Sequence, residues 1–203
     1  MISRKLPLVL ATAILTVAVC AFAQLQPKPA APEIVPPEAP AQAAVAPSAQ
    51  EEGVLVGPVT REKVEASPEW AQAEVEAKPD PNVAAALAAV PAGAEVEIFL
   101  GTWCGDSRRE VPRLWKALDA AGGAVPFQIH YVGVDHAKKE PAAEIAREGV
   151  RFLPTFIVRR GGHEVGRVVE TSPNGIESDL LALLTGKASG VLSTRTDLAP
   201  SKP

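Results

Sequence analysis

Cysteine is scarce in this chain: only Cys20 and Cys104 occur among 203 residues. A scaffold held together by several disulfides is therefore excluded. Basic residues are also in the minority, with 20 Lys and Arg against 24 Asp and Glu, and the net charge of −4 argues against a nucleic-acid partner. No internal repeat is visible, so the length predicts one domain of ordinary size with flanking segments.

Histidine is nearly as rare, and the three residues are His130, His136 and His163. They fall on a predicted strand, after that strand and at a hairpin turn, without the spacing of a metal site. We expect them at the surface, and we expect the protein to use no metal and no cofactor. A Cys–His hydrolase would need one of them oriented on Cys104, and no sequence pattern favours that arrangement.

The N-terminus has the order of a secretory signal. Arg4 and Lys5 precede an apolar run from Leu6 to Phe22, and Ala21-Phe22-Ala23 supplies a small-x-small cleavage pattern. We predict a signal peptide over residues 1–23 and therefore an exported protein, either periplasmic or extracellular.

Cleavage after Ala23 has a chemical consequence, because it would remove Cys20 and leave Cys104 as the only thiol. The alternative is an uncleaved segment, residues 6–23, that anchors the protein in a membrane. Pro7, Thr12 and Thr16 weaken that alternative, because they are less suited to a membrane-spanning helix than the apolar residues around them. In either case Cys104 is an inert buried thiol or a reactive one.

The rest of the chain divides by composition. Residues 24–53 are rich in Pro and Ala with hardly any large apolar residue, which predicts a disordered linker that acts as an extended spacer. Residues 54–187 carry periodic apolar patterns and are predicted to form the folded domain. Residues 188–203 are predicted to form a flexible tail.

The periodic patterns of the domain predict alternating strands and helices. Their order favours an α/β fold in which helices cover a mixed central sheet. The predicted strands are 54–56, 96–100, 127–134, 156–158 and 165–169, and the predicted helices are 67–77, 82–90, 111–121, 141–148 and 173–184. Ser67 is the predicted cap at the start of the first of these helices.

Cys104 lies where a predicted strand becomes a predicted helix. That position puts its sulfur near unpaired backbone N–H groups and the positive end of the helix dipole, which favour the reactive thiolate. Trp103 beside it offers an apolar surface to a peptide. A cysteine at such a junction is a candidate nucleophile.

Four features follow one another in order between about Glu95 and Leu184. They are the turn Trp103-Cys104-Gly105-Asp106-Ser107, Pro112 eight residues after the cysteine, the segment Leu153-Pro154-Thr155, and the Gly161-Gly162 hairpin before a last amphipathic helix. The set resembles the thioredoxin family, whose active-site turn is Trp-Cys-x-x-Cys. The resemblance implies a thioredoxin-like fold with a mixed central β-sheet flanked by helices.

The resemblance also assigns roles within the turn. Cys104 and Ser107 take the two catalytic positions, and Trp103, Gly105 and Asp106 complete the active-site turn. Ser107 stands where the family has its resolving cysteine, and a hydroxyl cannot attack a mixed disulfide.

The other matched segment is implied to bind substrate. Leu153, Pro154 and Thr155 resemble the family segment whose proline is cis and faces the active cysteine, and its backbone would pair with an extended substrate strand. Pro112 is implied to kink the helix that follows Cys104.

A second departure concerns proton transfer. The family often has a buried acid six residues before the first cysteine, and here that residue is Ile98. Glu97 should point to the opposite face of the strand, because side chains alternate. Proton transfer would have to use water, Asp106 or a partner.

These observations predict an exported, monothiol, thioredoxin-like protein. Through Cys104 it would exchange thiols and disulfides or capture partners as mixed disulfides, with Ser107 hydrogen-bonding the thiolate. The expected partners are thiol- or disulfide-bearing proteins or small thiols. A non-catalytic binding module with the same fold is the alternative, and the question whether the protein is an enzyme stays open.

Three arginines near the cysteine are either a solvated face or a means of steering an acidic partner: Arg108, Arg109 and Arg113.

Overall fold

A computed structural model of the protein describes residues 53–198. The predicted signal peptide or anchor, nearly all of the predicted linker, and residues 199–203 of the predicted tail lie outside the described residues.

The described chain is an α/β fold built on one mixed sheet of six strands. The strand order is β1-β3-β2-β4-β5-β6, in which β2–β3 and β5–β6 are parallel and the other pairs are antiparallel. The strands are β1 (Gly57–Val59), β2 (Ala94–Leu100), β3 (Phe127–Gly133), β4 (Thr155–Arg160), β5 (His163–Val169) and β6 (Gly190–Leu192). The helices are α1 (Arg61–Glu65), α2 (Pro68–Glu76), α3 (Pro81–Leu87), α4 (Gly105–Ala120), α5 (Ala142–Glu148) and α6 (Ile176–Leu184), followed by a short 3-10 turn at Thr196–Leu198.

The sheet is buried on both faces, as the alternation along β2 shows. Ile98 belongs to the larger core cluster, which includes Trp115 of α4. Phe99 belongs to a second cluster, against which Ile145 of α5 packs. Helices therefore cover both faces of the sheet, and β2 delivers its carboxyl end to the point where α4 begins.

Local sequence explains where several helices begin. Asp80 caps α3, because its Oδ1 accepts the backbone N–H groups of Asn82 and Val83 at 2.8 and 3.3 Å. Ser67 precedes α2 as predicted, but its side chain makes no capping hydrogen bond. Pro112 lies inside α4, where its side chain is buried.

The last helix begins later than predicted, at Ile176. The side chains of Ser172 and Asn174 both bind Asp179, and this holds the preceding residues in a loop. Gly175 has φ 90°, a left-handed value that ends the loop just before α6.

Two predictions near the ends of the domain were wrong. The first strand is Gly57–Val59 rather than 54–56, while Leu55 passes so close to Gly133 that a Cβ there would lie 2.2 Å from the Leu55 oxygen. The predicted tail contains β6, which pairs with β5, and Ser193 Oγ donates to Val169 O at 2.7 Å. β6 pairs with backbone groups at the outer edge of β5. The sequence does not predict this strand, because its three residues, of which the first is a glycine, are too few to show a periodic pattern.

Within residues 53–198, no helix has both the length and the apolar character that a membrane crossing requires.

Candidate active site

Cys104 is the residue that joins β2 to α4. β2 ends at Leu100, and the backbone N–H of Cys104 donates to Gly101 O at 2.9 Å, which closes a tight turn. The carbonyl of Cys104 accepts the N–H of Arg108 at 3.0 Å, so the cysteine is the N-cap residue of α4. Its side chain is half-buried, and the predicted strand-to-helix junction is where the structure places it.

The Cys104 sulfur is directed toward a second segment of the chain. Sγ lies 3.5 Å from the carbonyl oxygen of Leu153, and it accepts no capping hydrogen bond from the start of α4. The sulfur is therefore in direct contact with the backbone of this segment.

The segment 153–155 is held against the site by backbone and hydroxyl hydrogen bonds. Pro154 O accepts the N–H of Glu170 at 2.8 Å, and Thr155 Oγ1 donates to Phe152 O at 2.7 Å. The Leu153–Pro154 peptide is cis. All three residues of the segment are buried, and Thr155 begins β4. The fold thus brings this segment to Cys104 across 49 positions of sequence.

Trp103 covers the other side of the turn. Its indole Nε1 donates to Val134 O at 3.0 Å, and its ring stacks on His136 with a centroid separation of 4.6 Å and an interplanar angle of 21°. Gly101 leaves room for the indole, because a Cβ there would lie 2.9 Å from Trp103 Cε2 and 3.2 Å from Cys104 Cβ.

Ser107 lies one turn into α4 and is fully buried. Its Oγ accepts the backbone N–H of Gly101 at 3.2 Å. Among the described residues, Ser107 and Cys104 share no hydrogen bond. Ser107 therefore supports the turn here, and the expected contact with the sulfur is not present in this conformation.

Sequence comparisons find partial relatives, and no protein-family model matches the chain. Thioredoxin-2 of Pyricularia oryzae is 33% identical over 81 residues, which are 39% of this chain and 43% of that protein. Thioredoxin H2-1 of Oryza sativa subsp. japonica is 32% identical over 97 residues, or 47% of this chain and 64% of that protein. The chain therefore spans less than two thirds of the length of these relatives.

Structural comparison agrees on the fold. The crystal structure of an HIV epitope scaffold matches with a TM-score of 0.50 and 13% identity, covering 66% of this chain and 95% of that one. The sheet, the Cys104 junction and the partial relatives lead to one conclusion. The chain has a thioredoxin-like fold and is similar in sequence to part of two thioredoxins.

Asp106 and Gly105, the remaining residues of the thioredoxin-like turn, face solvent. Gly105 is exposed, and Asp106 pairs with Arg109 at 2.7 Å. Arg109 also contacts Glu110 at 3.1 Å and Thr171 Oγ1 at 2.8 Å. Burial raises the pKa of Glu110 above its ordinary value, although Arg109 opposes the shift. Asp106 is thus part of an ion-pair chain along the surface of α4.

The other arginines at this end of the thioredoxin-like domain are also paired with acids. Arg108 pairs with Glu69 of α2. Arg113 binds the buried Glu177 through two hydrogen bonds, at 2.7 and 2.8 Å, and Glu177 Oε1 also accepts the N–H of Asp80. These arginines join α4 to α2 and α6, so pairing within the fold already accounts for them.

The position six residues before Cys104 has no acid, as the sequence predicted. Ile98 is fully buried in the larger core cluster. Glu97 points to the opposite face and binds Arg159 at 2.9 Å and Arg147 at 3.4 Å. Neither side chain offers a proton to the thiol.

Within residues 53–198, no group of three or more His, Cys, Asp and Glu side chains is arranged to hold a metal ion. His130 lies on β3 and His163 at the start of β5, while His136 lies beside Trp103. Sequence reasoning missed the role of His136, because only tertiary structure stacks it on the indole.

Proposed function

We propose that this protein carries out thiol–disulfide exchange through one cysteine, Cys104, and captures partner proteins as mixed disulfides. The observation that carries the proposal is the position of the half-buried Cys104 sulfur, at the start of α4 and beside the segment 153–155. The partial likeness to two thioredoxins supports the same chemistry.

The proposed reaction is a single displacement. The Cys104 thiolate attacks one sulfur of a partner disulfide, a new bond forms between Cys104 and that sulfur, and the other partner sulfur leaves as a thiolate. In a dithiol protein a second cysteine would then release the partner. Ser107 cannot do so, so release requires an external thiol that attacks the mixed disulfide. The partner stays bound until that thiol arrives.

Substrate binding is proposed at Leu153, Pro154 and Thr155. The Leu153 carbonyl already lies 3.5 Å from the sulfur, so a partner cysteine bonded to Cys104 would lie against this backbone. An extended partner segment is expected to run along it. Trp103, fixed by His136 and by the Val134 carbonyl, supplies the apolar wall on the other side.

A non-catalytic binding module is the second candidate, and one observation favours it. The sulfur faces the Leu153 carbonyl, an acceptor, and receives no hydrogen bond from Ser107 or from the first turn of α4. In such a module partners would occupy the same groove without forming a covalent bond.

The decisive experiment restores the missing thiol. Ser107→Cys places a second thiol one helical turn from Cys104. With dithiothreitol as the electron source, this variant should reduce insulin at least tenfold faster than the wild-type protein does. Wild type and Ser107→Ala should stay near the rate of dithiothreitol alone. The double variant Ser107→Cys, Cys104→Ala is the matched control and should lose the gain.

Capture by the wild-type protein separates the two candidates. In the protein that begins at Gln24, which lacks Cys20, incubation with oxidised glutathione should add one glutathione to Cys104, visible as a mass increase by intact mass spectrometry and reversed by dithiothreitol. Cys104→Ala should show no addition. A wild-type Cys104 that remains unmodified would contradict the exchange function and favour the binding module.

We further propose that the protein is exported, on the grounds of the N-terminal sequence alone. N-terminal sequencing of the protein from the periplasmic fraction or the culture medium should begin at Gln24. A protein that retains Met1 and sediments with membranes would favour the anchor formed by residues 6–23.

A further inference from the structure

Three cations surround the ring of Phe152, the residue before Leu153. The guanidinium carbon of Arg195 lies 4.0 Å from the ring centroid, that of Arg151 lies 5.6 Å away, and the ammonium of Lys138 lies 6.0 Å away. Such distances are in the range of cation–π attraction. Like charges converge here and repel one another, and Glu170 and Asp197 offset part of that repulsion, since both pair with Arg195 and Asp197 also interacts electrostatically with Arg151.

The loops that carry Arg151 and Lys138 both contact the site. The loop 151–154 includes Leu153, whose carbonyl oxygen lies 3.5 Å from the Cys104 sulfur. The loop 135–140 contains His136, which stacks on Trp103. A charge on either loop is therefore positioned beside a partner bonded to Cys104.

These cations differ in whether an acid already neutralises them. Arg195 pairs with Glu170 and Asp197, both at 3.0 Å. In the stretch from 53 to 198, no carboxylate lies within ion-pair distance of Lys138, Lys139 or Arg151, and all three side chains are exposed. We call Lys138, Lys139, Arg151 and Phe152 the basic rim.

The acids near the basic rim are occupied by other contacts. Asp135 Oδ1 accepts the backbone N–H groups of Lys139 and Glu140 at 2.7 and 2.8 Å. Glu140 Oε2 accepts the N–H of Ala142 at 3.2 Å. These contacts fix the loop 135–140 rather than neutralise its lysines.

The backbone at Lys138 adds a second, independent observation. Lys138 has φ 55°, a left-handed conformation that glycine adopts more easily than lysine. Its N–H donates to Asp135 O at 3.1 Å, so the loop fixes the backbone from which the Lys138 side chain projects.

We propose that the basic rim binds acidic residues that flank the reactive cysteine of a partner protein. This inference rests on the proposed exchange at Cys104 and names the partner segment: an acidic peptide whose disulfide lies within a few residues of Asp or Glu. The arginines of α4 are less suited to this role, because Arg108, Arg109 and Arg113 are each paired with an acid.

The test uses peptides with one cysteine, activated as the mixed disulfide with thionitrobenzoate. Attack by Cys104 on the peptide sulfur forms the bond between Cys104 and the peptide, breaks the bond to thionitrobenzoate, and releases that coloured thiolate. Three peptides of equal length carry Glu, Gln or Lys on both sides of the cysteine. At low salt the Glu peptide should react about tenfold faster than the Gln peptide, and the Lys peptide should be slowest.

The double variant Lys138→Gln, Arg151→Gln should remove the preference for the Glu peptide, so that the Glu and Gln peptides react at equal rates with it. The matched control makes equal charge changes far from the site, at Lys187 beyond α6 and Lys63 on α1, and should keep the preference. Added salt should reduce the Glu preference in wild type but leave the rim variant unchanged.

The outcomes separate the two proposals. If no peptide releases thionitrobenzoate, the exchange function fails. If all three peptides react at equal rates with wild type, exchange stands and the basic rim proposal is overturned. A Glu preference that survives in the rim variant would also overturn it, because another surface would then be responsible.

Discussion

The two ends of helix α4 carry polar groups that differ in how they are neutralised. At its C-terminal end, Arg61 of α1 binds Glu65, Glu74 and Asp119 and lies 5.4 Å from the centroid of the Trp115 ring. At its N-terminal end, the sulfur of Cys104 has one weak contact, and within residues 53–198 no carboxylate lies within ion-pair distance of the basic rim. At the C-terminal end, which we call the closed end, the cation and the acids neutralise one another and join helices. At the N-terminal end, the sulfur and the cations stay available to a partner.

The largest expected effect is at the closed end. Arg61→Gln leaves three carboxylates close together without a cation, so the free energy of unfolding should fall by about 2 kcal/mol, the loss being limited by partial solvent exposure. Urea denaturation measures this loss.

The matched control is Arg147→Gln. The Arg147 side chain is 57% exposed where it pairs with Glu97 and Glu148. Its loss should therefore lower the free energy of unfolding by about 0.5 kcal/mol or less. In the folded fraction of Arg61→Gln, Cys104 should react with the thionitrobenzoate-activated Gln peptide at the same rate as in the wild-type protein. A slower rate would mean that the two ends of α4 are coupled and that the comparison is mistaken.

A smaller effect on stability, but a larger one on reaction, is expected at Gly101. Gly101→Ala adds a Cβ that would lie 2.9 Å from Trp103 Cε2, so the indole must move from the Val134 carbonyl and from His136. We expect a loss of stability of about 1 kcal/mol, a change in Trp fluorescence, and a slower reaction of Cys104.

Gly105→Ala is the control for this substitution. No heavy atom lies within 4 Å of the Cβ that it adds, and alanine favours the helix that begins there. Stability should be unchanged or slightly higher, with an unchanged fluorescence spectrum. Equal behaviour of the two variants would show that the tight packing of Trp103 on Gly101 does not shape the site.

The sequence predicts the parts of this site that depend on residues close to one another in the chain. The junction at Cys104 follows from a buried strand that runs into an amphipathic helix, and the hairpin follows from Gly161-Gly162 between two apolar runs. The resemblance to thioredoxins added the segment 153–155, which the fold brings to the sulfur.

The sequence does not predict contacts that only tertiary structure creates. His136 on Trp103, the cations on Phe152 and the binding of Ser107 Oγ to Gly101 join residues without a shared period or motif. Helix α1 was also missed, because five residues are too few to show helical spacing, although Thr60 caps it.

The smallest predicted effect concerns the pH dependence of the closed end. Burial, together with a hydrogen bond to Glu65, raises the pKa of Glu74 from its ordinary value of 4.5 to about 7. The folded protein therefore keeps this proton over a range in which the unfolded chain has lost it. The free energy of unfolding should fall as the pH rises from about 4.5 to about 7, and solvent screening limits the change to about 1 kcal/mol.

Glu74→Gln removes that proton equilibrium and should flatten the pH dependence over this range in urea denaturation. Asp119→Asn is the control at the same cluster, because the hydrogen bond from Arg61 lowers the pKa of Asp119 below its ordinary value of 3.8. The stability that ionised Asp119 contributes is lost only as the pH falls below that value, so its substitution should cost the same at pH values of about 5 and about 8. A wild-type stability that rises across this range would show that the carboxylate of Glu74, and not its protonated form, holds α2 to Arg61.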